Sequence, residues 1–291
     1  MEIARVQGIS IIVHPTFWLV LLAYGVLGMM TQALLIFLLV MGHELAHLLT
    51  AKAYGFRVIG LELYPFGGAA HCEDLFEGRK LEESMMAIAG PVFNLTLLFG
   101  AQALRWEGIW TGPLSEDFVQ FNFWLAVFNL VPVLPLDGGR VVRALFSDVF
   151  GFVQTTKALA RAGQAFGTIL GIIGLTLLGQ GAYDGISICF LLAGFFWVSG
   201  HKEIASARLT FLRQITRKKE ELLHKGLMKS KSITVTAEIS LIRVVEELTP
   251  DRYALIHLPG GEAFGIERTL TETQVVEGML KKGIHCPVGE L

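Results

Sequence analysis

Six long stretches almost free of charge constrain this chain more than any other feature. Residues 10–27, 31–51, 85–104, 118–136, 165–178 and 186–199 each approach the roughly 20 apolar residues that cross a bilayer as a helix. Inside lipid a backbone must satisfy its own hydrogen bonds, so such stretches are expected to be helical. The last two are short and glycine-rich, and residues 179–185 between them leave room only for a tight turn. Composition agrees: 53% of the 291 residues are hydrophobic and 17% charged, against about 25% charged in a soluble domain. The expected fold class is an α-helical polytopic membrane protein of about six transmembrane helices.

Orientation follows from the basic residues. Alternating the spans places Arg5, Lys52, Arg57, Arg79, Lys80, Arg140, Arg143, Lys157 and Arg161 on one side with the basic tail, and little beyond Arg105 on the other. Positive loops stay inside, so both termini are expected in the cytoplasm. The N-terminal apolar stretch is too long and lacks the small-residue site of a cleaved signal peptide, and Glu2 excludes a myristoylation start. Cys72, Cys189 and Cys286 form no CxxC, which argues against a disulfide framework or an all-cysteine zinc site. The net charge of −2 averages an apolar part with a charged tail, and no basic surface points to nucleic acid.

Near Lys202 the composition changes. The expected domains are 1–201 in the membrane, a charged helical linker over 202–225, and an aqueous α/β domain over 226–291. Strand-like runs lie at 232–235 and 253–258, helical ones at 241–248 and 272–281, and Pro259-Gly260-Gly261 marks a hairpin-like turn. Within the loop at 54–80, the run 58–64 reads as a strand with Glu62 at its centre. The Gly67-Gly68 pair beyond it suggests a hairpin or re-entrant loop, tolerated at membrane depth only where protein or a water-filled cavity shelters it.

The chemistry concentrates at His43-Glu44-Leu45-Ala46-His47. Helical residues four apart share a face, so both imidazoles can bind one zinc ion. Glu44 can then act as general base on the water that the ion activates. Five letters with three fixed positions occur by chance in about one chain in a hundred of this length, so context must decide. Here the context is an apolar helix, where two histidines and a glutamate are costly unless paired, metal-bound or hydrated. The plainer alternative is a buried polar cluster pinning helices together.

A zinc hydrolase needs a third protein ligand and a position for water. Asp137 falls at a matching depth at the inner end of the fourth span, before a Gly138-Gly139 pair able to break the helix. The other reading of Asp137 is an interfacial acid paired with Arg140. Asp184 falls at the outer face, and His14 and His201 flank the first and last spans. Pro132 and Pro135 unwind the segment before Asp137 and free backbone groups for an extended substrate. Asn129 can donate to the oxyanion of peptide hydrolysis, or it can satisfy those freed carbonyls. Ala89-Gly90-Pro91 reads as a close packing step against the motif helix, with Asn94 in support. No Walker loop or GxSxG elbow is present. Asp137 and Asp184, placed on opposite faces, make a poor aspartyl-protease pair.

HExxH in an apolar helix, followed by Asn129-Leu130-Val131-Pro132-Val133-Leu134-Pro135-Leu136-Asp137-Gly138-Gly139 in a later one, resembles the site-2 protease family of intramembrane zinc metalloproteases. The Pro65-Phe66-Gly67-Gly68 loop, the Ala89-Gly90-Pro91 step and the short tail are similar to its sporulation branch. Leu134 departs from the proline of many members. The resemblance implies that His43, His47 and Asp137 hold Zn2+, that Glu44 activates water and that Asn129 helps substrate or intermediate. It implies cleavage of pro-sigma-K at the mother-cell membrane surrounding the forespore, under membrane-bound inhibitory proteins. It also implies a CBS-like tail that takes ATP or another adenine nucleotide and, as a single copy, a homo-oligomer. The alternative function is a metal-ion transporter lined by the same cluster. Transport predicts polar residues through the outer half of the helices, whereas residues 33–40 are apolar.

Overall fold

The computed structural model describes residues 2–6, 9–56, 58–64, 67–72, 80–179, 185–225, 227, 229–248, 252–260, 265–283 and 285–291. Two compact units result: Met1–Pro132 with Leu136–Val141, and Val133–Pro135 with Val142–Leu291.

The first unit opens on strands β1 (Glu2–Val6) and β2 (Ile9–Val13), followed by helices α1 (Pro15–Val26) and α2 (Met30–Ala53). Strands β3 (Val58–Tyr64) and β4 (Gly67–Cys72) complete a sheet of order β1-β2-β3-β4. β2 and β3 are parallel, with Ser10 opposite Gly60, and the outer pairs are antiparallel. A parallel pair needs a long crossover, which α1 and α2 supply. The hairpin expected over the Gly67-Gly68 loop is therefore present as β3–β4; Pro65 and Phe66 lie outside the described residues.

The first span needs correction. Ile9-Ser10-Ile11-Ile12-Val13 is rich in β-branched residues, which favour a strand, and Pro15 then opens α1 where its missing N–H is harmless. At 12 residues α1 is shorter than a bilayer requires.

Helix α3 (Lys80–Trp106) carries Ala89-Gly90-Pro91 in its interior. Helix α4 (Pro113–Asn129) begins with Pro113 after Gly112, whose φ of 105° suits only glycine well. It stops at Asn129 because Pro132 and Pro135, lacking N–H groups, cannot extend the ladder. The expected span 118–136 thus starts earlier and ends earlier. Asp137 is not the foot of that span but the first residue of α5 (Asp137–Phe150), and Gly138-Gly139 begin a helix instead of breaking one.

The second unit contains α6 (Phe152–Gly179) and α7 (Ile186–Lys225), packed along each other around Phe196, whose ring meets Phe166 edge-on at 5.2 Å. The last span and the charged stretch expected as a linker are one unbroken helix. The expected turn between α6 and α7 falls mostly on 180–184, outside the described residues.

Among the described residues four helices are long and apolar enough to cross a membrane: α2, α3, α6 and the Ile186–Ala207 part of α7. That is fewer than six, because α1 and the 17-residue α4 fall short in length. Outward apolar side chains such as Phe99 (68% exposed) and Ile172 (56%) suit a lipid surround. The chain is an integral membrane protein.

The tail has the four expected strand and helix runs, but Pro259 and Gly260 lie in a strand and not in a turn, Gly261 lies outside the described residues, and one further strand is added. β5 (Ser230–Thr234), α8 (Leu241–Glu246) and β6 (Tyr253–Gly260) precede β7 (Gly265–Thr271) and α9 (Glu272–Lys282). β5 runs parallel to β6, with α8 as the crossover, and β6 pairs antiparallel with β7. β6 alternates as a half-buried strand should, with Ala254, Ile256 and Leu258 inward. They form one core with Leu241, Val244 and Leu248 and with Val275, Val276 and Met279 of α9. Thr271 and Gln274 form a reciprocal capping box that starts α9. Ile256→Ala should destabilise the tail by about 2–5 kcal/mol, read as faster trypsin cleavage beyond residue 226.

Candidate metal centre

Helix periodicity brings His43 and His47 to one face of α2. Their ring centroids are 4.7 Å apart with planes at 84°, and the two Nε2 atoms approach to 3.1 Å. Asp137 turns Oδ2 toward both, 3.1 Å from His43 Nε2 and 3.2 Å from His47 Nε2. All three residues are buried. The sharp return from α4 into α5 makes this possible. A Cβ at Gly138 would lie 2.6 Å from the Val131 carbonyl oxygen, so only glycine lets α5 begin so close to the preceding turn.

The neighbours of each ring decide which atoms face inward. His47 Nδ1 lies 2.6 Å from the Met86 carbonyl oxygen, which can only accept. In the neutral ring that nitrogen carries the proton, and Nε2 presents a lone pair. His43 Nδ1 lies 2.5 Å from Asn94 Oδ1, which places its own lone pair on Nε2 as well. Two unprotonated nitrogens and a carboxylate oxygen then meet within hydrogen-bond distance of one another. Three electron-rich atoms so arranged repel unless a cation lies among them. Donors about 2.0–2.1 Å from a tetrahedral zinc ion are separated by about 3.3–3.4 Å, close to the edges of this triangle. The donor set and its outer hydrogen bonds fit zinc.

Gly90 of α3 forms one wall. A Cβ there would lie 2.6 Å from His43 Nε2 and would also strike His47 Nε2. The next residue, Pro91, removes an N–H from this stretch of α3 near the Met86 carbonyl that anchors His47. Glu44 is half-buried and next to His43 in the chain. Asn129 is not brought to the cluster: its Nδ2 donates to the Leu125 carbonyl at 3.0 Å, one turn back on its own helix. Asn122, fully buried, carries a hydrogen bond to Asn94 that the sequence left unnoticed. Its signal was an amide within an apolar run, shared with Gln120 and Asn129.

A family model described as peptidase family M50 matches residues 31–105 and 113–170, which contain the whole cluster. The site-2 protease from Methanocaldococcus jannaschii shares the fold with a TM-score of 0.57 and 27% identity, over 70% of this chain and 94% of that one. Over the stretch that holds the cluster, the chain matches peptidase family M50. A zinc metalloprotease of Methanocaldococcus jannaschii is 27% identical over 264 residues, covering 87% of this chain and 73% of its own. Stage IV sporulation protein FB of Bacillus subtilis is 28% identical over 240 residues, covering 82% and 81%. The chain is accordingly an intramembrane zinc metalloprotease of site-2 type, and its His/His/Asp cluster belongs to proteolysis, against the transport alternative.

Proposed function

We propose that this chain cleaves a membrane-associated pro-protein, a sporulation pro-sigma factor of the pro-sigma-K kind, with His43, His47 and Asp137 as zinc ligands and Glu44 as general base. The observation that carries the ligand assignment is the convergence of three buried donors at 3.1–3.2 Å, two on one helix and one from a distant turn. Zinc bound there supplies a Lewis acid that acidifies water and polarises the scissile carbonyl. The Glu44 carboxylate takes the proton released as water attacks and returns it to the departing amine nitrogen. Asp137 and the two imidazoles, held by Asn94 and the Met86 carbonyl, keep the donors facing inward while this happens. The non-helical segment between α4 and α5 offers backbone groups to a substrate strand that has left its own helix.

Asn129 acts at the substrate by exchanging its bond to Leu125 for one to the substrate or its oxyanion. Asn129→Ala should then lower kcat/KM by about 10²-fold with zinc content unchanged, as loss of one oxyanion donor does elsewhere. Unaltered kinetics in a radiolabel-release assay would leave it only a helix-end contact.

The likeness to the Bacillus subtilis sporulation protein supports the substrate, membrane-bound inhibitory partners and residence in the mother-cell membrane around the forespore, and the basic loops support both cytoplasmic termini. In the tail, the β-α-β-β-α order with a parallel β5–β6 pair supports a CBS-like domain over 226–291, after a membrane domain over 1–201 and a helical linker over 202–225. Such a domain takes an adenine nucleotide and, single in the chain, favours a homo-oligomer. Co-expression with a pro-sigma-K substrate tests the substrate directly. The expected result is a faster-migrating sigma band; an unshifted band beside a zinc-loaded protein would reject this substrate class.

A further inference from the structure

An amide presents either its oxygen or its NH2 group, and the two have opposite consequences for His43. If Asn94 turned its NH2 toward His43 Nδ1, that nitrogen would have to carry the lone pair and the proton would move to Nε2, blocking the cluster. Something must hold Asn94 with its oxygen toward the ring. Asn94 Nδ2 donates to Asn122 Oδ1 at 2.9 Å, and Asn122 Nδ2 donates to the Phe118 carbonyl at 2.8 Å. The Phe118 carbonyl is a backbone acceptor with no alternative polarity. It forces the NH2 of Asn122 toward itself, which leaves Asn122 Oδ1 for Asn94 and Asn94 Oδ1 for His43. Both asparagines are fully buried on helices α3 and α4, where an amide is costly without complete hydrogen bonding.

We propose that Asn122 is a positioning residue for the metal centre. Through Asn94 it locks His43 in the tautomer whose Nε2 can bind zinc, although it touches neither ligand nor substrate. The inference rests on His43 being a ligand.

The test measures zinc affinity of the full chain in lipid nanodiscs, by competition with a chromophoric chelator. Asn122→Leu fills the same space but frees Asn94 to rotate. It should weaken zinc binding by about 10- to 100-fold, the usual loss when a ligand's outer partner is removed. Asn94→Asp added to Asn122→Leu should restore affinity to within about threefold, because a carboxylate has only acceptors to offer and needs no orienting group. A packing role predicts no such rescue, so weak binding in the double variant would overturn the proposal. So would wild-type affinity in Asn122→Leu. If Asn122→Leu does not fold, Asn94→Asp and Asn94→Leu read the same dependence: the first should bind as wild type and the second about 10- to 100-fold more weakly. Equal affinities in that pair would also overturn it. If instead His43 is not a ligand, His43→Ala keeps wild-type zinc affinity, a result distinct from any of these.

Discussion

Glu44→Gln leaves one zinc ion per chain and removes peptide cleavage. The substitution keeps the side chain's size and hydrogen-bonding reach but takes away its ability to accept a proton at neutral pH. The cluster of His43, His47 and Asp137 does not include Glu44, so zinc content measured by atomic emission should equal that of the wild type. The cleavage rate should fall by about 10²–10⁴-fold, the contribution of a positioned general base. A variant that loses zinc would instead place Glu44 among the ligands, and one that cleaves normally would deny it the proton transfer.

The second large effect is expected at Gly90. Alanine there puts a methyl carbon 2.6 Å from His43 Nε2 and Cε1 and into His47 Nε2. Neither ring can retreat easily, because Asn94 and the Met86 carbonyl hold their far sides. Zinc affinity should drop by more than about 100-fold, beyond the loss from a single outer partner, since both imidazoles are displaced together. The helix itself should not suffer, because alanine favours a helix by about 1 kcal/mol over glycine. Lost zinc, with thermal stability equal to the wild type when both are stripped of metal, is therefore the signature. Gly90→Ala retaining tight zinc binding would mean that the rings lie elsewhere.

The sequence showed these features unevenly, for physical reasons. His43 and His47 were visible because helical spacing alone puts them on one face. Asp137 was visible by depth, yet its element was misassigned. By sequence Pro132 and Pro135 unwind one long helix, whereas in the structure they end α4 and let a new helix start on the aspartate. Ile9–Val13 was absorbed into a span because hydropathy does not distinguish an apolar strand from the helix that follows it. In the tail, β6 was legible through its alternation, but β7 (Gly265–Thr271) was not: Glu267, Arg268 and Thr269 interrupt any apolar pattern, and only pairing with β6 makes it a strand. Gly90 was read as a packing residue. Its contact with the imidazoles, like the Asn122–Asn94 bond, depends on how α2, α3 and α4 lie together, which no single segment encodes.

The convergence of His43, His47 and Asp137 on one ion is most directly tested by anomalous diffraction at the zinc absorption edge from crystals of the full chain. The account predicts a single strong peak about 2.0–2.2 Å from His43 Nε2, His47 Nε2 and an Asp137 carboxylate oxygen. A peak bound by other side chains, with Asp137 turned away from the imidazole pair, would contradict it.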